Sequence, residues 1–345
     1  MISCGGHDSV TSCASIRAGI SRQAEVAHFS ALDFETYEMQ FLNGFPISSI
    51  TDGFQATSRW LQMMNYSFKD WESKFISEPN KLTDEIDYSN LRLFFVIPSL
   101  NSGRYEFVEN CDSENIAELL FRLFVNMVKK PFQFSKCQVI QDDQMGISLV
   151  LQQVEEEIKN DVTYKALVIA VDSLLDANSL NWLAERNRLK SSGVPAGLMP
   201  GESAVTLYIE SSTNFSSPGF SIEKLIFDSQ ADGTNLFSNG LNTILSFAEK
   251  YDCLPSYWIG NLNGENIKAK IFANALVGVQ AEYHYLDIHI PAVSIGDIGA
   301  AFTPLNIIYA NHLLERKYVE EKSMLVFEIG ENGRFSILLV TRKGS

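Results

Sequence analysis

Hydrophobic positions along the chain alternate between two rhythms, and the alternation predicts its elements. Leu91–Ile97 is a continuous apolar run closed by Pro98 and reads as a buried strand. Ser113 can cap a helix in which Ile116, Leu119, Leu120, Leu123, Phe124 and Met127 recur at helical spacing, with Pro131 closing it. A short strand at Gln138–Ile140 leads into a second helix with Ile147, Val150, Leu151, Val154 and Ile158 on one face. Asn160-Asp161 ends that helix, and Ala166–Val171 is the next apolar strand. A helix near Ser179–Leu189, a loop carrying Gly193, Pro195, Gly197, Pro200 and Gly201, and a strand at Ala204–Ile209 follow.

The polar loop Ser211–Gly219 marks the expected boundary between two halves, 1–212 and 213–345. Beyond it the theme repeats: strand Lys224–Phe227, helix Leu236–Lys250, strand Ser256–Ile259, helix Asn266–Val277, a strand near Tyr285–Ile288 and helix Ala300–Glu315. Strands Met324–Ile329 and Arg334–Thr341 close the chain, joined at an Asn-Gly turn, Asn332-Gly333. Strands separated by helices imply an α/β protein whose mainly parallel or mixed sheets are covered on both faces, here duplicated. Ser30–Asn90 is rich in aromatic and acidic residues without a clear strand pattern, and is expected to be an insertion or a cap over the sheet edge.

Composition narrows the function classes. The 345 residues are 46% hydrophobic, enough for a sizeable core in one large domain or two packed half-domains. The net charge of −15 disfavours general attraction to nucleic acid or anionic lipid, and no basic patch argues for a nucleic-acid partner. No apolar run reaches the roughly 20 residues of a membrane span, and no signal-peptide pattern opens the chain, so a cytoplasmic location is expected. Cys4, Cys13, Cys111, Cys137 and Cys253 are odd in number and form no CxxC pair, which points to reduced, structural thiols.

Three stretches resemble the β-ketoacyl synthase branch of the thiolase superfamily. The opening Gly5-Gly6, Val10-Thr11-Ser12 and Ile16-Arg17-Ala18-Gly19-Ile20 is similar to the family's first strand, its Gly-Thr turn and the "RAG" ending its first helix. Ala166–Glu210 resembles the strand with a Gly-Asp-Ser-like turn, a helix, and the "PGEGA" loop and strand. Val293-Ser294-Ile295-Gly296-Asp297-Ile298-Gly299-Ala300-Ala301 looks like the glycine-rich loop ahead of the long helix. Gly146, Gly201, Gly264, Gly296, Gly299, Gly330 and Gly333 also lie on family glycines. The resemblance implies a thiolase-like fold, an αβαβα layering of two similar halves.

The family works with a Cys at a helix N-terminus, whose dipole and amides lower the thiol pKa and build an oxyanion hole, and with two histidines. The resemblance places these positions on Asp143, Asn261 and Asp297, and the family's lysine on Ala292. Asp142 or Asp143 can cap the helix that opens near Gly146. Cys137 lies six residues before Asp143 within a strand, where a buried structural thiol is expected. Of His7, His28, His284, His289 and His312, only His289 is placed to approach the site, from a strand end. Asp142, Asp143 and Asp297 with Asn261 are an oxygen set that could hold a hard cation only if they converge, and the expectation is no metal and no cofactor.

The resemblance therefore implies a ketoacyl-synthase-like protein without the Cys-His-His set, a non-condensing subunit that binds an acyl chain or an acyl carrier protein, or serves as a scaffold. The competing class is an acyltransferase or thioester hydrolase using Asp143, Asp297 or His289 as base. A homodimer or a heterodimer with a paralogue is implied in either case. Arg186, Arg188, Lys190, Lys129 and Lys130 are the candidate basic surface for an acidic carrier protein.

Overall fold

A computed structural model describes the chain except residues 33–35, 78–85, 106–112, 212–219, 229–233, 280–285, 331–332 and 343–345. At 27–28, 31–32, 77, 113–114, 234–235 and 278 only the backbone is described. In chain order the elements are α1 (Ser9–Arg17), β1 (Ala24–Leu32), β2 (Met39–Gly44), α2 (Ser48–Thr51), α3 (Ala56–Ser77), β3 (Arg92–Ile97), α4 (Ser113–Val128), β4 (Cys137–Gln141), α5 (Gly146–Asn160), β5 (Lys165–Ser173), α6 (Ala177–Glu185) and β6 (Glu202–Glu210). They continue as β7 (Phe220–Asp228), α7 (Thr234–Lys250), β8 (Tyr257–Gly260), α8 (Asn266–Gly278), β9 (Asp287–His289), α9 (Ala292–Ile295), α10 (Phe302–Glu315), β10 (Ser323–Ile329) and β11 (Phe335–Arg342).

Two sheets carry the fold. The first has the order β4-β3-β5-β6, and Ile2 adds an antiparallel bridge to Ala204 on the outer side of β6. The second has the order β9-β8-β10-β11-β7. Counted in chain order within each half, with Ile2 as the first strand, both sheets read 3-2-4-5-1. The directions agree as well: strands 3, 2 and 4 run parallel, and the fifth is antiparallel to the fourth and the first. The duplication expected from the alternating pattern is thus built into the topology.

Burial stacks these sheets into layers. Phe94, Val96, Val168, Ala170 and Val205 of the first sheet face Ile147, Val150, Leu151 and Val154 of α5. Met324, Val326, Leu338 and Val340 of the second sheet share the same core with Leu305, Ile307, Leu313 and Leu314 of α10. Alternate residues of each strand point outward. Leu93, Phe95, Ile97, Leu167 and Ile169 pack under α3 and α4, while Trp258, Leu325, Phe327, Ile337 and Leu339 pack under α7 and α8. The order helix, sheet, helix, sheet, helix covers both faces of the central strands, which explains why strands such as β5 are apolar along almost their whole length, while β4, β7 and β9 at the sheet margins are only half-buried.

Within Ser30–Asn90, expected to be an insertion or a cap, helix α3 lays Trp60, Leu61, Met63, Met64 and Phe68 across the outer face of the first sheet. α3 occupies the place that α7 takes in the other half, between the first and second strands. Among the described residues the antiparallel hairpin β1–β2 and the short α2 have no counterpart there, and the hairpin packs through Val26 and Leu42 on Leu175, Leu180 and Leu183 around α6. The strands were hidden because β2 buries only Leu42 and Gly44 and so shows no clean alternation. On α4, Leu120 and Phe124 are buried as expected, whereas Leu119 and Leu123 are exposed. The turn residues Glu331 and Asn332, the strand start at Tyr285 and the boundary loop after Ser211 lie outside the described residues.

Candidate functional site

The C-terminal ends of β3, β4, β8 and β9 and the loops that follow them meet where the halves face each other. On the first half, β4 ends at Gln141 and α5 opens at Gly146, packed so tightly that a Cβ there would lie 2.5 Å from Val96 Cγ1. Asp142 Oδ1 accepts from the backbone N–H of Gln144 (2.9 Å) and Met145 (2.8 Å), closing the turn that precedes α5. Its Oδ2 pairs with Arg334 Nη1 at 2.8 Å, across the junction of the halves. Neither aspartate expected as a cap caps the helix: its N-cap is Met145, without a side-chain cap bond, because the turn inserts three residues between Asp142 and Gly146. Asp143 turns the other way, accepting from Ser99 N–H at 3.1 Å with Arg104 Nη1 at 3.7 Å.

Arg104 anchors that side. It holds Asp172 through two bonds, of 3.1 and 2.7 Å, and donates to Ser179 Oγ (2.6 Å) and Ser173 O (2.6 Å). Burial opposes its charge, and the Asp172 carboxylate more than offsets this, holding the guanidinium well above its ordinary value. Asp172 also accepts from Ala300 N–H at 3.1 Å, reaching into the second half. Gly299 (φ +52°) must be glycine for two reasons: its backbone is left-handed, and a Cβ would fall on the Asp172 carboxylate.

On the second half, Asn261 follows β8 and spends its amide on one peptide: Nδ2 donates to Ile329 O (3.0 Å) and Oδ1 accepts from Ile329 N–H (2.8 Å). Asn263 donates to Glu265 Oε2 (2.8 Å) and Asp297 Oδ2 (2.5 Å). Asp297 is buried in a backbone clasp, its N–H donating to Met199 O and its carbonyl accepting from Gly201 N–H, both at 2.8 Å. Burial opposes the charge of its side chain, but Lys268 at 3.8 Å, the Gly299 N–H at 2.9 Å and Asn263 outweigh it, so the carboxyl stays below its ordinary value.

Glu328 of β10 completes the cluster. It is 1% exposed, its Oε2 accepts the Thr303 hydroxyl, and Lys268, Asp142 and Asp297 all act on its charge. Burial pushes its carboxyl up to about 8, the Thr303 bond and Lys268 only partly opposing. Neither Glu328 nor Lys268 stood out in the motif comparison, yet both left a signal. Glu328 shares the inward face of β10 with Met324 and Val326, and Lys268 stands at helical spacing with Ile271, Phe272 and Ala275. A charged residue at a core position is that signal.

His289 does not join this cluster. Its Nδ1 lies 3.2 Å from Tyr309 Oη and its Nε2 3.7 Å from Asp287 Oδ2, with its ring against Tyr257. The strand end directs it onto α10 instead of into the junction. Cys137 is half-buried on β4 with its thiol pushed up to about 12 by burial, and burial does the same to Cys4 and Cys13. Cys111, His284 and the side chain of His28 lie outside the described residues. Among the described residues no three His, Cys, Asp or Glu side chains are grouped to hold a metal ion. In the basic set, Arg188 is committed to Glu265 (2.7 Å), Lys130 to Glu72 (2.5 Å), and Arg186 stacks on Trp182. Among the described residues no helix is long and apolar enough to cross a membrane.

No protein-family model and no curated protein matches the chain. Solved structures do. The ishigamide ketosynthase/chain length factor is 13% identical with a TM-score of 0.57, covering 99% of this chain and 97% of that one. The ketosynthase from module 6 of the bacillaene synthase from Bacillus subtilis 168 is 11% identical with a TM-score of 0.66, over 99% of this chain and 71% of that one. The PfaC ketosynthase–chain length factor also scores 0.66 at 9% identity, and there the chain spans 41% of the other's length. The fold is therefore the thiolase-like fold of ketosynthases and chain length factors, as the resemblance implied.

Proposed function

We propose that the chain is a non-condensing subunit of ketosynthase and chain-length-factor type, which pairs with a second subunit and receives an acyl chain or an acyl carrier protein. The observation that carries this reading is the state of Asp143, Asn261 and Asp297. Each stands where the family resemblance puts a catalytic side chain, and each is occupied in holding backbone: Ser99, Ile329 and Gly299 respectively. A thioester there would meet no low-pKa thiol and no imidazole among the described residues near these positions. The similar structures include a type II acyl-carrier protein in complex with its ketosynthase, at 14% identity and a TM-score of 0.52, which supports the carrier-protein part of the reading.

The subunit edge supports pairing. β4 is an outer strand whose residues Cys137–Gln141 carry no charge and no proline, and exposed Leu119, Leu123 and Phe134 accompany it on α4 and the turn before it. Unprotected edges of this kind invite a partner strand. Native mass spectrometry before and after incubation with acyl-CoA and acyl-carrier-protein donors tests the proposal, with Asp143→Ala and Cys137→Ala in parallel. A dimer that binds carrier protein without a covalent adduct supports it. A covalent adduct lost in one variant overturns it and names a nucleophile.

A second reading, a thioester hydrolase or acyltransferase, draws on Glu328, because a carboxyl titrating near neutrality is suited to acid-base work. Hydrolysis of an acyl thioester that disappears in Glu328→Gln would establish it in place of the first.

A further inference from the structure

Four polar side chains stand together where α10 crosses β10 and β11, and two of them have no hydrogen-bond partner among the described residues. Glu328 points inward from β10, 1% exposed, and its Oε2 accepts the Thr303 hydroxyl from the first turn of α10. Ser336 is its direct partner across the β10–β11 ladder. Residues opposite each other in an antiparallel pair point to the same side, with Cβ atoms about 5 Å apart. The Ser336 hydroxyl therefore lies beside the Glu328 carboxyl. Asn306 follows Thr303 by one turn of α10, a spacing that makes the two neighbours on the helix surface.

Ser336 and Asn306 are fully buried, and neither Ser336 Oγ nor either amide atom of Asn306 is bonded. Buried polar atoms without partners are destabilising, and an apolar residue at either position would remove the penalty. Donors retained beside an acid in this way suit the state of the acid that can use them. With its proton on, the Glu328 carboxyl is held by Thr303. With its proton off, a carboxylate has about four acceptor positions to fill in a dry interior, and Thr303 fills one.

We infer that Glu328, Thr303, Ser336 and Asn306 form a proton-operated switch between α10 and the β10–β11 pair. Loss of the proton turns the Ser336 hydroxyl and the Asn306 amide onto the carboxylate and draws the start of α10 tighter onto the sheet. Side-chain rotation is all that this requires. Burial holds the Glu328 proton up to about 8, so the switch turns over on the alkaline side of neutrality. Three charged groups face it from other elements: Lys268 of α8 favours ionisation, whereas Asp142 from the turn before α5 and Asp297 from the loop before α10 oppose it. α10 begins directly after the loop whose Gly299 N–H holds Asp297, so its first turn connects the switch to the candidate site.

Carbon-13 NMR of the full chain with labelled glutamate carboxyls follows the switch from about pH 6 to about pH 10, with Glu328 assigned by the signal missing in Glu328→Gln. Hydrogen exchange of the α10 amides is read over the same range. Ser336→Ala and Asn306→Leu each remove a donor to the carboxylate, so each should make Glu328 a roughly ten-fold weaker acid. At the low end of the range both variants should be at least as stable as the wild type. Ser336→Thr returns a hydroxyl and should return the wild-type titration. In the wild type the α10 amides, corrected for intrinsic rates, should exchange more slowly above the titration than below it. A Ser336→Ala variant that titrates with the wild type, or α10 exchange that is unchanged across the titration, overturns the inference. The Ser336 variants decide even if Asn306→Leu fails to fold. The outcome is independent of the subunit role, which stands or falls on adduct formation, pairing and carrier-protein binding.

Discussion

The two halves have the same strand order and the same directions, yet their polar residues are arranged in opposite ways. In the first half a buried cation at the junction, Arg104, is saturated: Asp172, Ser173 and Ser179 take up its fork, and Asp172 continues the chain of bonds to Ala300. In the second half the buried cation, Lys268, stands 3.8 Å from the Asp297 carboxylate, whose close bonds come from Asn263 and the Gly299 N–H. A planar guanidinium that matches a carboxylate with two bonds is suited to a fixed joint, whereas an ammonium is a point charge. Duplication supplied two equivalent frames, and side-chain chemistry braced one with a two-bond pair and the other with a longer ion pair.

The comparison breaks most sharply at Arg104. Arg104→Ala leaves Asp172 buried without its counter-charge, and chemical denaturation should show a loss of about 3–5 kcal/mol. A loss under about 1 kcal/mol would mean the joint is not structural. Glu328 sharpens the contrast through pH. Its folded pKa of about 8 lies above the ordinary 4.5, so its contribution is full below pH 4.5 and is lost as pH rises through about 8. Between about pH 5 and about pH 8 the wild type should lose about 3–4 kcal/mol relative to Glu328→Gln in urea titrations, and parallel curves would refute the shift. Asn261→Ala strands the N–H and carbonyl of Ile329, and thermal unfolding should register about 1–2 kcal/mol. Asp143→Asn is the mildest: it is partly exposed and bonded to the Ser99 amide, so stability should change by less than about 1 kcal/mol in the same assay.

Much of the architecture was legible because strand and helix periods differ. β3, β5, β6, β10 and β11 are nearly continuous apolar runs, as strands covered on both faces must be, and α5 and α7 show clear one-sided faces. α3 escaped because its buried residues are Met and aromatic rings interleaved with polar ones, a composition that reads as surface until a sheet lies beneath it. At the site, Asp143, Asn261 and Asp297 were located by resemblance, but their roles were not visible. Which cation Asp142 meets, or which peptide Asn261 clasps, depends on loops brought together from distant parts of the chain. His289 was placed at the site by its nearness in sequence to Asp297, and the direction of β9 turned it onto Tyr309.

The sequence by itself determined the duplicated α/β pattern and the buried strands, because periodicity is a local property. Only the tertiary structure decided that Asp172 receives both Arg104 and the Ala300 amide, and that Lys268 pairs with Asp297. Hydrogen bonding and desolvation depend on what lies within a few ångströms, and here those neighbours come from segments far apart in the chain.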